Sequence, residues 1–226
     1  MSGDLPANAP TSAPPPVIGV LVSGRGSNLE AIFGAIARGE LAARVGVVIS
    51  SDADAPALER ARRRGVPTRV LSLKGAGSRA ALGEAIVAAL RAVGAELVVL
   101  AGYRLILDAG VVRAFPARML NIHPSLLPAF AGGMAPRPQA EALAAGVKVS
   151  GCTVHFVTEA VDAGPIIAQA AVPVLEDDTV ESLSARILEQ EHQLLPRAIA
   201  LVLAGHARVE GRRVVCGPPT ESGRPD

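Results

Sequence analysis

Asn121 and His123 stand two residues apart in the octapeptide Asn121-Ile122-His123-Pro124-Ser125-Leu126-Leu127-Pro128. In an extended backbone that spacing points both side chains to one face. A carboxamide offers neutral N–H donors, and an imidazole can carry or lose a proton near neutrality. Such a pair suits a reaction in which an oxygen turns negative while a proton moves. Two prolines stiffen the chain as it leaves, by fixing φ and removing N–H donors. A His-Pro in a loop is by itself commonly structural; the whole octapeptide is the specific signal.

Two other segments carry chemistry. Ser23-Gly24-Arg25-Gly26-Ser27-Asn28-Leu29 follows the apolar run Val17–Val22 and opens an amphipathic stretch. Glycines let such a turn approach a ligand closely, and the helix behind it presents unpaired N–H groups, which together make an anion site, most often for phosphate. Two readings stay open beside it: a tight turn in which Ser27 or Asn28 merely caps the helix, and a dinucleotide fingerprint, although Leu29 stands where its third glycine belongs. Asp162 lies in Val161-Asp162-Ala163-Gly164-Pro165, where a carboxylate near His123 would orient the ring and pair with its protonated form. Alone, that turn is commonplace.

The elements that must position these residues follow from pattern. Apolar runs at 17–22, 45–49, 66–71 and 97–100 alternate with helical stretches at 27–38, 55–64 and 78–93, each stopped by a glycine. Fully apolar strands alternating with helices predict a parallel sheet covered on both faces. In the second half, strands are expected at 119–122, 152–157 and 166–174, the last two close together, so the sheet becomes mixed. A helix is expected near Gln139–Ala145. The longest helical pattern, 179–203, is capped by Asp178 or Thr179, and Pro196 should bend it. The cluster Arg60-Ala61-Arg62-Arg63-Arg64 closes a helix, where positive charge complements the dipole.

Composition narrows the function classes. Half of the 226 residues are hydrophobic, enough for one domain with a sizeable core, and 22 basic residues balance 21 acidic ones, which argues against a nucleic-acid or general membrane binder. Aromatics at 2% argue against base-stacking platforms. Cys152 and Cys216 match no zinc spacing, so no metal is expected; Cys152 reads as a small core residue and the compartment as reducing, hence cytoplasmic. No run approaches ~18 uninterrupted apolar residues, so no membrane span is expected. Residues 1–16, rich in Pro, Ala and Ser, read as a disordered leader; 17–215 as one domain; 216–226 as a flexible tail.

Several stretches together carry a resemblance: Ser23–Leu29, Leu100-Ala101-Gly102-Tyr103, Asn121–Pro128, Gly151–Val157, Val161–Ile167 and Glu191-His192. In this order the chain resembles the phosphoribosylglycinamide formyltransferases, folate-dependent enzymes of purine synthesis, over roughly Val17 to Val209. The resemblance implies a Rossmann-like α/β formyltransferase fold with a mostly parallel mixed sheet and helices on both faces. It implies transfer of the formyl group of 10-formyltetrahydrofolate, as co-substrate, to glycinamide ribonucleotide, with small-molecule partners only and a monomer or homodimer. Asn121, His123 and Asp162 would be catalytic. Gly26, Ser27 and Asn28 would hold the ribose-phosphate and Glu191 the sugar hydroxyls. Arg79, Arg104, Leu105, Ile106, Leu107 and Val157 would border the folate.

The sequence departs from the family's pattern twice. Arg104-Leu105 follows Tyr103 where Met or a similar residue and then Arg are usual. The segment Ala129–Pro138 is longer than usual and lacks a histidine common there. Related formyl-folate enzymes, a deformylase with an N-terminal regulatory domain and a methionyl-tRNA formyltransferase with a C-terminal RNA-binding domain, are expected to be longer than 226 residues. A nucleotide-binding oxidoreductase and a non-catalytic binding module are the rivals of other classes.

Overall fold

The apolar runs become the middle of one sheet. The computed structural model describes residues 14–217; the expected leader, apart from Pro14–Pro16, and the tail beyond Gly217 lie outside the described residues. In chain order the elements are β1 (Val17–Val22), α1 (Ser27–Ala37), β2 (Arg44–Ser50), α2 (Pro56–Arg62), β3 (Thr68–Val70), α3 (Leu73–Ala76), α4 (Arg79–Ala92), β4 (Leu97–Leu100), α5 (Ala109–Ala114) and β5 (Met119–His123). They continue with α6 (Arg137–Ala144), β6 (Val149–Phe156), β7 (Ile166–Pro173), α7 (Val180–Leu203), β8 (Ala207–Glu210) and β9 (Arg213–Cys216).

The nine strands form one sheet in the order β3-β2-β1-β4-β5-β6-β7-β9-β8. Strands β3, β2, β1, β4 and β5 are parallel, joined by right-length helical crossovers, whereas β6 runs antiparallel to both β5 and β7. Alternation along β1 explains the two layers. Ile18, Val20 and Val22 join α1 and α7 residues such as Leu29, Ile32, Leu183 and Ile199 in one core. Leu21 faces the other, with Leu82, Ile86 and Leu90 of α4. Both faces of β1, β2 and β4 are therefore buried, which is why they read as nearly unbroken apolar runs, whereas β3 at the sheet's edge is exposed.

The long helix begins at Thr179, which caps it and shares a reciprocal capping box with Ser182, and it continues through Pro196. Asp178 serves a different end: its carboxylate takes the Leu175 N–H and pairs with Arg186. Sequence placed the start of β6 at Cys152, but pairing begins at Val149, because Ser150-Gly151 reads as a breaker although it pairs with Ala171 and Val172. The hairpin β8–β9, turning at Gly211-Arg212, was not foreseen, and Cys216 ends β9 instead of opening a tail. Its short strands carry Arg208, Glu210 and Arg213 and sit at the sheet's edge, so burial leaves little apolar pattern to read.

Candidate active site

Sheet order decides what meets. From the neighbours β1 and β4 the chain departs in opposite directions, to β2 and β3 on one side and to β5 and β6 on the other. Their carboxyl ends therefore part into a crevice, the usual binding position in open α/β sheets. A cleft of about 570 Å³ lies there, lined by 23–28, 100–107, 121–124, 132–135, the turn 157–162 and Glu191.

One end of the cleft is the loop between β1 and α1. Gly26, with φ +75°, is the residue before the helix, and no side chain caps it. Ser27 is the first helical residue, one place too late to cap, and Asn28 Nδ2 donates to Glu191 Oε2 at 2.7 Å. The reading in which Ser27 or Asn28 caps the helix is thus corrected. Among the described residues, the N–H groups from Gly24 to Leu29 find no protein acceptor, an arrangement that favours an anion. Gly26 cannot be replaced quietly, since a Cβ there would lie 2.6 Å from the Cβ and 2.9 Å from the Cα of Ala57. Glu191 is buried, and burial pushes its carboxyl up to about 7 against the opposing hydrogen bond from Asn28. Asn28 Oδ1 is itself buried without a protein donor.

At the other end β5 delivers Asn121 and His123 to one face, as their spacing predicts. The turn after β6 brings Asp162 against both: Oδ2 lies 3.3 Å from His123 Nδ1, and Oδ1 lies 3.5 Å from Asn121 Nδ2. Asp162 holds φ +51°, a region asparagine and aspartate enter more readily than most residues. Gly164 lets that turn close, for a Cβ on it would sit 1.8 Å from the Phe156 carbonyl oxygen. His123 Nε2 donates to the Phe130 carbonyl at 3.1 Å. Nε2 thus carries a proton, and Nδ1 faces the Asp162 carboxylate, with which a protonated ring would pair.

His155, which sequence reasoning placed on a strand and gave no role, completes the cluster. It pairs directly with Asn121 across β5 and β6. Its Nδ1 faces the Phe156 carbonyl at 2.9 Å and so carries the proton. Burial holds the ring below the ordinary imidazole range, outweighing the bond to Phe156 and the charge of Asp162. A neutral ring leaves Nε2 as an acceptor, 3.1 Å from Asn121 Nδ2. That contact fixes which way round the carboxamide sits: its NH₂ faces His155 and Asp162. The strand pairing that reveals this role is a register, which the sequence alone does not display.

Behind the cluster, Thr153 Oγ1 donates to the Ser125 carbonyl and accepts from Leu127 N and Gln169 Nε2. The loop leaving His123 is thereby pinned to β6 and β7. The atypical segment Ala129–Pro138 touches the cluster twice, through the Phe130 carbonyl on His123 and through Gly132 N–H on Asp162 Oδ2 at 2.8 Å.

Arg104, Leu105, Ile106, Leu107 and Val157 line the wall of the cleft. The Arg104 guanidinium turns toward Ser23 O and Asp52. Arg79 does not line it: as the exposed first residue of α4, it lies on a helix whose buried face, Leu82, Ile86 and Leu90, packs on the sheet. The arginine cluster closes α2, as expected, and does more. Arg60 and Arg64 both pair with Glu30 of α1, and Arg64 covers the Phe33 ring 4.8 Å from its centre. Cys152 is a core residue, as expected. Among the described residues, no three His, Cys, Asp or Glu side chains are grouped to hold a metal ion, and no helix is long and apolar enough to cross a membrane.

Known proteins share this architecture. Glycinamide ribonucleotide transformylase 1 from Symbiobacterium toebii superposes with a TM-score of 0.88 at 52% identity, covering 92% of this chain and 97% of that one. Phosphoribosylglycinamide formyltransferase of Haemophilus influenzae is 40% identical over 193 residues, 85% of this chain and 90% of its own length. The trifunctional purine biosynthetic protein adenosine-3 of Gallus gallus is 44% identical over 199 residues, but the chain spans only 20% of that protein's length. Residues 17–199 match the formyl transferase family, and the chain belongs to it.

Proposed function

We propose that this chain transfers the formyl group of 10-formyltetrahydrofolate to the amine of glycinamide ribonucleotide, yielding the formylated nucleotide and tetrahydrofolate in purine synthesis. One observation carries the reading: a single cleft holds a row of unpaired backbone N–H groups at one end and an Asn/His/Asp cluster at the other. The first matches a phosphate monoester and the second a carbonyl that becomes an oxyanion. Names borne by the relatives at 40% and 52% identity agree with it.

In this reading Gly26, Ser27 and Asn28 hold the phosphate and Glu191 accepts from the sugar hydroxyls. The folate lies along Arg104–Leu107 and Val157, its pterin against the turn before Asp162. The nucleotide's free amine attacks the formyl carbon directly, with no covalent enzyme intermediate and no metal. Asn121, exchanging its long 3.5 Å contact with Asp162 Oδ1, and doubly protonated His123 donate to the oxygen as it turns negative; one such donor is typically worth about 10²–10³ in turnover. His123 Nε2–H already has the Phe130 carbonyl as acceptor, and Nδ1 faces the Asp162 carboxylate, so one of these contacts must yield. The Asp162 carboxylate attracts a charged ring whereas the Phe130 carbonyl offers only a neutral acceptor, so the Phe130 carbonyl is the partner exchanged. Asp162 pairs with the protonated ring and takes part in removing the amine proton, and N10 of the folate gains a proton as the formyl carbon–N10 bond breaks; such assistance commonly contributes about 10²–10⁴.

A spectroscopic assay with 10-formyl-folate, run with and without glycinamide ribonucleotide, tests the reading. Consumption that requires the amine is expected. Consumption without it would make the chain a hydrolase, and no consumption in either arm would end the formyl-folate reading.

A further inference from the structure

Four consecutive carbonyls of the 23–26 loop each accept a hydrogen bond from elsewhere in the protein. Ser23 O takes Arg104 Nη2 at 2.7 Å, Gly24 O takes Ala57 N at 3.2 Å, Arg25 O takes Arg60 Nε at 2.9 Å and Gly26 O takes Glu30 N at 3.0 Å. In a planar trans peptide the carbonyl of one residue points opposite to the N–H of the next. Holding those four oxygens therefore sets the directions of the N–H groups of Gly24, Arg25, Gly26 and Ser27. Two of the four donors are backbone groups and two are guanidinium groups. The guanidinium groups hold the Ser23–Gly24 and Arg25–Gly26 peptides, the two that precede a glycine. Those planes rotate most freely, because glycine tolerates φ of either sign.

We propose that Arg60 and Arg104 are positioning residues for the anion end of the cleft, each locking one glycine-flanked peptide so that its N–H is set toward the substrate phosphate before binding. The proposal rests on the phosphate reading given above. Each arginine is anchored twice. Arg60 also reaches Glu30 Oε2 at 3.4 Å, and Arg104 reaches Asp52 Oδ2 at 3.2 Å while its own N–H donates to Ser23 Oγ at 2.9 Å. With side chains 42% and 58% exposed, their ion pairs are screened and weak. What remains specific is the bond to the carbonyl. Preset N–H groups spare the phosphate the cost of ordering the loop.

Arg60→Met and Arg104→Met in the full chain test this, with calorimetric binding of ribose 5-phosphate and steady-state kinetics as readouts. Each substitution is expected to weaken the probe and raise the KM for glycinamide ribonucleotide by roughly 3–10-fold, the scale of one ordinary hydrogen bond after solvent competition, and Arg60→Met, which lies off the folate wall, is expected to keep kcat at saturation within about twofold. Arg60→Lys and Arg104→Lys, which keep the charge and one donor, are expected to recover part of the loss. Arg62→Met and Arg63→Met remove the same charge from the end of α2 and its cap, where both residues pair with Glu59, and are expected to leave both values unchanged. Wild-type binding with unaffected Arg60 and Arg104 variants overturns this proposal alone, as does an equal loss in Arg62→Met, which would make the effect one of net charge. A wild-type chain that binds no phosphate ester overturns the phosphate reading and takes this proposal with it.

Discussion

The two ends of the cleft are built from different material. At the proposed anion end the groups on offer are main-chain N–H, placed by where β1 stops and α1 starts. Side-chain identity matters there chiefly where a Cβ has no room or where a carbonyl is held from behind. At the reaction end the groups are side chains, Asn121, His123, His155 and Asp162, drawn from two strands and a turn. Each depends on the protonation or orientation of the next: His155 must be neutral to orient Asn121, and His123 protonated to pair with Asp162. Topology guards the first end, while the second stands or falls with single atoms.

The largest expected effect is therefore at the reaction end. His123→Ala should lower kcat on the order of 10³-fold and leave the KM for glycinamide ribonucleotide within about threefold; near-normal kcat would remove His123 from the mechanism. Gly26→Ala probes the other end and should show the opposite split. The added Cβ meets Ala57 and the positive φ is strained, so stability should fall by about 1–3 kcal/mol and KM should rise while saturated kcat holds. An unchanged KM would argue that the loop does not meet the phosphate. Thr153→Val should cost about 1–3 kcal/mol in urea unfolding, because it leaves the buried Leu127 N–H without its acceptor; a neutral result would mean that loop is held by its prolines alone.

Legibility followed the same division. The parallel half was readable because strands buried on both faces are continuous apolar runs, and the loop 23–29 declares itself by glycine spacing. Asn121 and His123 were readable because two residues in one strand share a face whatever the strand pairs with. Asp162 needed the resemblance, since its turn is local and common while its contact with His123 spans 39 positions in sequence. The pairing of Asn121 with His155 and the attachment of Asp162 to Gly132 are matters of register and loop closure, which leave no local pattern. Arg79, carried over from the resemblance, is an exposed residue at the start of α4 and does not line the cleft. The arginines of α2 were read as a dipole complement because their partners, Glu30 and the Arg25 carbonyl, lie across the fold.

Glu191 offers the finest test of the contrast, because there the main-chain end borrows a buried side chain. Its carboxyl, ordinarily near 4.5, is raised to about 7 by burial, with the Asn28 hydrogen bond opposing. The folded chain thus binds a proton between those two values that the unfolded chain has released. Stability from this group is complete below about 4.5 and is lost as pH rises through about 7. Glu191→Gln keeps the shape and the Asn28 contact without the ionisation. It should match the wild type at pH near 5 and exceed it at pH near 8 by roughly 1–3 kcal/mol, read from urea midpoints. Activity should move the other way: the ionised carboxylate is the better acceptor for sugar hydroxyls, so the wild-type KM for glycinamide ribonucleotide should fall several-fold between those pH values, and the Gln variant should lack that drop. Parallel urea curves for the two proteins at both pH values would show that the carboxyl titrates as it does in water, and that the anion end owes nothing to a buried charge.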